Sequence, residues 1–435
     1  MKHIWKQHYK ERSISADEAA AKIKSGDMIV YGHACAQPKA LMDALLKRKD
    51  ELRNVGIAYG FTINEAPFCD PVYEGSFRVH SVFNSAGNRQ AQWEGRADLT
   101  PVNMSDVDRF FGRKLPVDVL FVQCTPPDSH GNVSLGISCD YTRGCVELAG
   151  LTIAQVNENM PWIYGDTVIP AEKIDYFVEA AEALPEIPQP SAISEVDRAI
   201  AGNVASLIND GDTIQAGVGS VPDTILSLLE NHKNIGIHTE LASTGVMQLI
   251  EKGVVTNARK TLDAGKVVCT ILGGTNEFYE YIDDNPIFEM RRCSYTNSPL
   301  VIARQKNICA INSALEVDLY GQVCADMMGY RHFSGVGGQL DFLRGAAMAE
   351  GGKSFICLPS TAKKGAVSRI VPLLTEGAAV TDTRFDVMYV VTEHGIADLW
   401  GKTVAQRAKE LIGIADPKFR EDLERAFAEK MKKTL

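Results

Sequence analysis

The stretch SEVDRAIAGNVASLINDGDTIQAGVGSVPDTILSLLENHKNIGI, residues 194–237, decides the fold because its pattern occurs twice in the chain. Residues 15–57 read SADEAAAKIKSGDMIVYGHACAQPKALMDALLKRKDELRNVGI. Each copy begins with a serine that can cap an amphipathic helix. A Gly-Asp turn, a strand, a glycine-containing loop, a proline, a second helix and a short strand follow. The repeat predicts two halves built on the same plan.

Nine short apolar runs alternate with helical patterns along the chain. They are MIVYGH, VGIAYGF, DVLFVQC, LTIAQVN, DTIQAGVG, VVCTILG, KNICAIN, KSFICLP and DVMYVVT. Many are continuously apolar, which is typical of strands buried on both faces of a parallel sheet. A weaker echo links residues 118–136 to residues 307–325, each with a strand, a loop aspartate and a glycine turn. The predicted fold class is therefore α/β, with two similar open α/β domains.

A proline-rich segment separates the two halves. EALPEIPQPSAIS has prolines at positions 185, 188 and 190 and is typical of a linker. We place the boundary near residue 190, which gives domains 1–190 and 191–435. Two similar α/β halves are expected to pack face to face, so a ligand cleft is predicted at their interface.

Composition narrows the classes of function. A net charge of −10 over 435 residues disfavours nucleic acid or an anionic membrane as the main partner. The ten cysteines show no CxxC pair, so we expect buried free thiols in a reducing compartment. The opening MKHIWKQHYKERS lacks the apolar core of a signal peptide, and no apolar run reaches membrane-spanning length. We therefore expect a cytoplasmic protein.

A single carboxylate, Glu240, follows the last strand of the second copy and precedes a helix that Ser243 can cap. Aligning VGI at 55–57 with IGI at 235–237 puts Gly60 opposite Glu240, so only the second half carries the acid. One interpretation is an acid that offsets the positive end of the helix, worth about 0.5 kcal/mol. The other is a functional group, because open α/β sheets bind ligands beyond the carboxyl ends of their strands. The local sequence does not decide between them.

Two glycine-rich loops are candidate binding segments. GVGSVPD, residues 217–223, follows a strand and opens a helix, with Ser220 as a candidate N-cap. FSGVGGQLDFLRGA, residues 333–346, brings three glycines within four residues, where the backbone can approach a ligand closely. Those three glycines are Gly335, Gly337 and Gly338. The GxG of the first loop is weak evidence by itself, and a plain turn explains the second loop better when it is taken alone. Neither loop matches a dinucleotide fingerprint or a P-loop.

The other candidates are weaker. His33 and His394 follow predicted strands, but neither lies in a nucleophile-elbow pattern, and no metal-binding motif is present. Residues 87–101 concentrate arginines and acids, and a salt-bridged surface is the preferred interpretation. Residues 353–372 carry several basic side chains, which either form a solvated face or hold phosphates.

Taken together, the motifs GIHTE, GVGSVP, GVGGQLDF, STAKKGAVSRIVP and TEHGIADLWGKTVAQRAKELIGIADPKFREDL resemble the acetyl-CoA hydrolase/transferase family. Within that family they are most similar to the 4-hydroxybutyrate CoA-transferase group. TPPDSHGNVSLGIS and VNENMPWIYGDT in the first half fit the same family, so the resemblance covers nearly the whole chain.

The resemblance implies a CoA-transferase-like enzyme of two similar α/β domains, with the active site at their interface and Glu240 as the nucleophile. It implies no metal and no tightly bound cofactor, with coenzyme A and acyl-CoA as substrates. The residues it places against CoA and its thioester are Gly217, Val218, Gly219, Ser220, Val221, Gly335, Gly337, Gly338 and Lys353. The partners expected are an acyl-CoA and a carboxylate, and a homodimer is expected because it is the commonest closed assembly.

The implied reaction is CoA transfer from acyl-CoA to a carboxylate by a ping-pong mechanism through a glutamyl-CoA thioester. Its expected substrates are 4-hydroxybutyrate or butyrate with acetyl-CoA. A dicarboxylate such as itaconate or succinate is an alternative, for which the arginines of segment 89–96 would supply a cation. Hydrolysis of the thioester is a second alternative, and a non-catalytic metabolite sensor is an alternative of another class.

Overall fold

The computed structural model describes residues 4–63, 66–189, 192–217 and 219–431. Contacts divide the chain into two compact units, each described below by itself. They comprise Met1–Pro188 with Val268–Thr296, and Gln189–Val267 with Asn297–Leu435. The predicted domains 1–190 and 191–435 assign Val268–Thr296 to the second domain, whereas this segment packs in the first unit. Pro190 of the predicted linker lies outside the described residues.

The first unit is built on a seven-stranded sheet whose neighbouring strands all run parallel. From edge to edge its strands are Tyr176–Glu179, Leu151–Val156, Val119–Cys124, Met28–Tyr31, Val55–Tyr59, Phe77–Ser81 and Ala97–Leu99. Its helices are Ile4–Arg12, Ala16–Ala20, Lys39–Leu46, Ala86–Trp93, Met104–Phe110, Thr142–Leu148, Asn276–Ile282 and Cys293–Thr296, with 3-10 turns at Pro67–Cys69, Pro71–Tyr73 and Ala171–Lys173. Ile57, Tyr59 and Phe121 are fully buried in its core, as expected for continuously apolar parallel strands.

The segment Val268–Thr296 belongs to the first unit because its polar groups bond there. Ile271 forms a bridge with Ser138, and the backbone of Asn276 donates to the carboxylate of Glu186 at 3.0 Å. The short strands of this part of the fold are Asn132–Ser134, Tyr164–Gly165, Val168–Pro170, Val267–Cys269, Ile271–Leu272 and Phe288–Met290. Long-range contacts of this kind are set by tertiary packing, which a boundary drawn from linker composition does not register.

The second unit contains a six-stranded sheet that is parallel except for its last pair of strands. In order its strands are Gly236–Ile237, Thr213–Ala216, Ile308–Ser313, Lys353–Cys357, Tyr389–Thr392 and Gly395–Asp398. Its helices are Glu195–Ala205, Ser220–Leu228, Thr244–Glu251, Pro299–Ile302, Gln339–Met348, Val404–Ile414 and Pro417–Met431. Shorter strands are Leu241–Ala242, Glu316–Asp318, Val323–Cys324, Met327–Met328, Arg331–His332, Thr361–Ala362, Val367–Ser368 and Ile370–Val371.

The predicted repeat is present, element for element. In the first unit Gly56 pairs with Met28 across parallel strands, and in the second Gly236 pairs with Thr213. The Gly-Asp turn before the first strand of each copy has a glycine with φ near +88° or +85°, a conformation that favours glycine. The same turn chemistry therefore starts the same strand in both units. All nine predicted runs contain strands.

The weaker similarity between residues 118–136 and residues 307–325 is also present in the structure. The carboxylate of Asp128 accepts hydrogen bonds from the N–H groups two and four residues further on, and Asp318 repeats both bonds. Gly131 and Gly321 follow these aspartates with φ of +87° and +84°. The same aspartate-centred turn therefore follows the strand Val119–Cys124 in the first unit and the strand Ile308–Ser313 in the second. It is a local side-chain-to-backbone motif that is readable from sequence.

The ten cysteines all fall within the described ranges and are buried free thiols, as predicted. In the part of the chain that the structure describes, no helix combines the length and apolar character needed to cross a membrane.

Candidate active site

Glu240 lies beyond the carboxyl end of the parallel strands of the second unit. Pairing continues past Ile237, because the N–H of His238 donates to the carbonyl of Ile214 at 3.1 Å. The hydroxyl of buried Thr239 then donates to the carbonyls of Ala216, at 3.0 Å, and Leu241, at 3.1 Å. These bonds fix the bend at which the chain leaves the sheet. They leave Glu240 partly exposed among buried neighbours.

Asn297 and Gly338 both contact the Glu240 carboxylate. Nδ2 of Asn297 donates to Oε2 of Glu240 at 2.6 Å, and Asn297 is fully buried. Gly338, also buried, packs so closely that a Cβ at this position would overlap both Oε2 of Glu240 and Nδ2 of Asn297. Glycine is therefore required here for close approach rather than for backbone conformation, since its φ of −97° and ψ of 6° are open to other residues.

The chemistry of this contact suits a nucleophile better than a surface acid. The side-chain amide of Asn297 is a neutral donor that orients the carboxylate of Glu240. Oδ1 of Asn297 is buried and has no hydrogen-bond partner among the described residues, an arrangement that costs about 1–3 kcal/mol. A buried polar atom without a hydrogen-bond partner is tolerated where function requires it. The contacts of Glu240 thus favour the functional interpretation over helix-dipole compensation.

The loop Gly217–Gly219 lies beside the end of the Glu240 strand. Gly217 and Leu241 line one small cavity of about 10 Å³, the room of a single water molecule. This space is too small for an acyl chain or a pantetheine arm, so a ligand would have to lie on the open side of the loop. An added Cβ at Gly217 or Gly219 would meet no atom within 4 Å, so that side is unobstructed.

The helix after this loop begins one residue earlier than the capping prediction requires. Its first residue is Ser220 and its N-cap is Gly219, with φ of +125°, so the prediction of Ser220 as the N-cap is wrong. The physical reason is that Asp223 takes over the capping role, its carboxylate accepting from the N–H of Gly219. Burial raises the pKa of Asp223, and this hydrogen bond opposes the increase.

The predicted CoA residues of this loop have different surroundings. Gly219 and Ser220 are exposed and Gly217 is partly exposed, whereas the side chain of Val221 packs into the unit and is 7% exposed. Val218 lies outside the described residues. Only the exposed members can meet a ligand without rearrangement.

The second glycine loop ends at Gly338, which is the N-cap of the helix Gln339–Met348. Gly337 has φ of +55°, a conformation that favours glycine, and Gly335 is partly exposed. The structure therefore brings this loop to Glu240 through Gly338.

Lys353 does not lie at the end of the sheet that carries Glu240. It opens a strand at the amino end of the sheet, whereas Glu240 lies beyond the carboxyl end. Its ammonium donates to the carbonyl of Leu207 at 2.7 Å and pairs with the buried carboxylate of Asp212 at 3.1 Å. Parallel strands put Lys353 and Glu240 at opposite ends of the sheet, so a CoA contact at Lys353 would be remote from the carboxylate and stays a prediction from the resemblance.

In the first unit the position equivalent to Glu240 is Gly60, as the alignment of the repeats predicted. The imidazole of His33 fills the space that a side chain there would need, and a Cβ at Gly60 would overlap that ring. His33 is buried and paired with the carboxylate of Asp140 at 3.0 Å. The first unit thus has the ring of His33 packed against Gly60 where the second unit has Glu240. The imidazole of His394 lies 3.7 Å from the carboxylate of the adjacent Glu393.

The charged segments 87–101 and 353–372 differ in the contacts of their basic side chains. Arg96 donates to the carboxylate of Glu94 and to the carbonyl of Cys69, as a salt-bridged surface predicts. Lys363 and Lys364 occupy an exposed hairpin turn between Thr361–Ala362 and Val367–Ser368.

Asn297 is the site residue that the sequence analysis missed. It stands in the polar run TNSP, which a single sequence presents as an ordinary turn before a helix. Its partner Glu240 is 57 positions away, so no local spacing connects them.

Comparison with known proteins identifies the family of the chain. Residues 1–188 match the acetyl-CoA hydrolase/transferase N-terminal domain, and residues 274–427 match the C-terminal domain of that family. The chain is 46% identical over 424 residues to 4-hydroxybutyrate coenzyme A transferase of Clostridium kluyveri, covering 97% of this chain and 99% of that protein. It is 41% identical over 424 residues to succinyl-CoA:acetate/propanoyl-CoA:succinate CoA transferase of Fasciola hepatica, covering 96% and 88%.

A solved structure of 4-hydroxybutyrate CoA-transferase from Porphyromonas gingivalis is similar over 98% of this chain and 100% of that chain, with a TM-score of 0.84 and 37% identity. The family models and the relatives span both halves of the sequence. The chain therefore belongs to the acetyl-CoA hydrolase/transferase family and is an enzyme of the CoA-transferase class.

Proposed function

We propose that this enzyme transfers coenzyme A between an acyl-CoA and a carboxylate through a thioester on Glu240. The observation that carries the proposal is the fixed carboxylate: Asn297 bonds Oε2 at 2.6 Å and Gly338 packs against the same oxygen. A carboxylate that accepts from Asn297 at the end of a parallel sheet is oriented and partly exposed. Those are the properties that attack on a thioester carbonyl requires.

The first half-reaction forms and breaks two bonds. An oxygen of Glu240 attacks the thioester carbon, the carbon–sulfur bond breaks, and CoA leaves as a thiolate. The product on the enzyme is a mixed anhydride between the acyl group and Glu240. The thiolate then attacks the glutamyl carbon of the anhydride, and the original acyl group leaves as a free carboxylate. The enzyme retains CoA as a glutamyl thioester.

The second half-reaction is the reverse with a new acid. The incoming carboxylate attacks the glutamyl thioester and releases the thiolate. The thiolate then attacks the acyl carbon of the new anhydride, which restores the carboxylate of Glu240. No proton is gained or lost overall, because carboxylate replaces carboxylate. A free glutamate has a pKa of about 4.3, so the nucleophile needs no general base at neutral pH.

The oxyanions of these steps need donors. The loop Gly335–Gly338, which meets Glu240 at Gly338, is the candidate source of backbone N–H donors, and backbone donors are already oriented before reaction. Of the predicted CoA-binding residues, the proposal keeps Gly338 and the exposed or partly exposed members of the two glycine loops, and it leaves out Lys353 and the buried Val221. The rest of CoA would add binding energy remote from the reacting atoms.

We propose 4-hydroxybutyrate or butyrate, with acetyl-CoA, as the substrate pair. The 46% identical relative, whose name specifies 4-hydroxybutyrate, supports this choice. The dicarboxylate alternative has the 41% identical relative in its favour, but Arg96 already serves Glu94 and the Cys69 carbonyl. Initial rates with butyrate, 4-hydroxybutyrate and succinate as acceptors decide between them, and a preference for succinate would refute the proposed pair.

The covalent step is tested by mass spectrometry of the enzyme after acyl-CoA is added without an acceptor. We expect CoA attached to the peptide that contains Glu240, and discharge of the adduct by acetate. Glu240→Gln, which has the same shape but no nucleophilic carboxylate, should lose the adduct and reduce kcat by about 10³-fold or more.

Glu316→Gln is the matched control. Glu316 is a partly exposed acid of the same unit whose carboxylate accepts from the backbone and hydroxyl of Thr375. The control should keep both adduct and turnover. An active Glu240→Gln enzyme would refute the proposal and support a non-catalytic or differently catalysed role for the acid.

Hydrolysis is separated from transfer by omitting the acceptor. If acyl-CoA disappears equally fast with and without acetate, and no acetyl-CoA forms, the enzyme is a hydrolase. A homodimer and a cytoplasmic location stay predictions from sequence, and sedimentation of the purified enzyme tests the former.

A further inference from the structure

We propose that Gln339, Asp382, Thr381 and Asp326 form a clamp that fixes the loop Gly335–Gly338 against Glu240, with Gln339 and Asp382 as positioning residues. We call these four residues the loop clamp. The inference rests on the proposed function of Glu240, because the loop is held next to that carboxylate.

The start of the glycine loop is attached to Asp326. The backbone carbonyl of Asp326 accepts the N–H of Phe333 at 2.7 Å and the N–H of Ser334 at 3.1 Å. Asp326 stands directly before the hairpin strands Met327–Met328 and Arg331–His332. The chain therefore enters the loop from an anchored hairpin.

The end of the loop is attached to Asp382. Nε2 of Gln339 donates to Oδ2 of Asp382 at 2.5 Å. Gln339 directly follows Gly338 and is the first residue of the helix Gln339–Met348. A displacement of the Gln339 side chain would therefore be transmitted to Gly338 through a single peptide bond.

Thr381 joins the two anchors. Its hydroxyl donates to the carboxylate of Asp326 and accepts the N–H of Ala325 at 2.8 Å. The N–H groups of Thr381 and Asp382 both donate to the carbonyl of Val323, at 2.8 and 3.2 Å. Both ends of the glycine loop are thus fastened to one hydrogen-bonded corner of the second unit.

The clamp keeps a buried carboxyl where packing alone would favour an apolar side chain. Asp382 is fully buried, and its Oδ1 has no hydrogen-bond partner among the described residues. Burial raises the pKa of Asp382 to about 7, the nearby carboxylates of Asp386 and Asp326 add to the increase, and Gln339 and Arg344 oppose it. Burying an acid is costly, and the Oδ2 oxygen of Asp382 accepts from Gln339. The cost indicates that the acid is retained because this hydrogen bond holds Gln339 in position.

The loop clamp determines how Gly338 is placed against Glu240. Its backbone touches the carboxylate of Glu240 and the amide of Asn297, with no room for a methyl group. A shift of the loop by about 1 Å would change this contact outright, and misplacements of that size cost reaction rates up to about 10²-fold. Gln339 and Asp382 therefore act through Gly338 and do not themselves touch the reacting atoms.

The test exploits the equal shapes of Gln and Glu and of Asp and Asn. Gln339→Glu places two acids in contact and should open the clamp at pH 8. The double variant Gln339→Glu/Asp382→Asn reverses donor and acceptor at unchanged length and should close it again. We expect kcat to fall about tenfold in the single variant, to return to within about threefold in the double variant, and KM for acyl-CoA to change less than kcat.

Gln322→Glu is the matched control. Nε2 of Gln322 donates to Oδ2 of Asp318 at 2.6 Å, a similar partly buried amide–carboxylate contact in the same unit that does not attach the glycine loop. It should lose thermal stability about as much as Gln339→Glu but keep kcat. Equal loss of kcat in both variants, or no recovery in the double variant, would overturn the proposal.

A second readout is independent of the chemistry assigned to Glu240. Amide hydrogen exchange of peptides covering residues 333–342 should speed up in Gln339→Glu and slow again in the double variant. Unchanged exchange in Gln339→Glu would refute the clamp itself. Faster exchange with unchanged kcat would refute its positioning role, whereas failure of the Glu240 mechanism would appear separately as a missing CoA adduct in the wild-type enzyme.

Discussion

Replacing Gly338 by alanine is the sharpest single test of the site. The new Cβ would overlap Oε2 of Glu240 and Nδ2 of Asn297, while the local φ of −97° and ψ of 6° is acceptable for alanine. The strain therefore falls on the carboxylate contact and not on the backbone of residue 338. Either the Glu240 side chain turns away from Asn297 or the loop retreats.

The size of the effect follows from the bond that is lost. A hydrogen bond from a neutral donor to a charged carboxylate is worth about 1.5–3 kcal/mol. Because about 1.4 kcal/mol corresponds to a factor of ten in rate, kcat/KM should fall about 10- to 150-fold. The assay is the initial rate of acetyl-CoA formation from butyryl-CoA and acetate, combined with the yield of CoA adduct on Glu240.

Gly202→Ala is the control for this experiment. Gly202 lies inside the helix Glu195–Ala205, and a Cβ there would meet no atom within 4 Å. It should stabilise the fold by about 0.5–1 kcal/mol and leave turnover unchanged. If folded Gly338→Ala enzyme keeps kcat/KM within about threefold of the wild type, the packing of Gly338 against Glu240 has no part in the chemistry.

Three further predictions concern residues around the site. Asn297→Ala should lower kcat about tenfold, because Glu240 loses its 2.6 Å donor, and single-turnover adduct formation measures this. Lys353→Met should reduce the free energy of unfolding by roughly 2–4 kcal/mol, since it leaves Asp212 buried without its ammonium, yet leave KM for acyl-CoA unchanged. Asp382 has its pKa raised to about 7 in the folded state, so it binds a proton more tightly there than in the unfolded chain. Its contribution to stability should therefore be full below about pH 4 and fall as the pH rises to 7, which chemical denaturation of wild type and Asp382→Asn at pH 5 and 8 measures.

Each of these has a clear contrary result. Normal adduct formation in Asn297→Ala would show that its amide is dispensable. A raised KM in a stable Lys353→Met enzyme would restore the lysine as a CoA contact. If the stability difference between wild type and Asp382→Asn is the same at both pH values, Asp382 does not titrate in this range.

Much of the fold was readable from the sequence because it depends on local patterns. Continuous apolar runs give buried parallel strands, and the Gly-Asp turns at Gly26 and Gly211 require a conformation that glycine adopts easily. The repeat was readable for the same reason, since the same local signals occur twice in the same order. Glu240 was found because a lone acid at the carboxyl end of a strand breaks the symmetry between the copies.

Only the tertiary structure determined the contacts between residues that are far apart in sequence. Asn297 meets Glu240 across 57 positions, and Gln339 meets Asp382 across 43. The sequence also placed Lys353 in the site, whereas the direction of its strand puts it at the other end of the sheet. Local periodicity determines which elements form and how each one ends. Side chains distant in sequence meet only when those elements pack, so a single sequence could single out Glu240 as a candidate but not the residues that contact it.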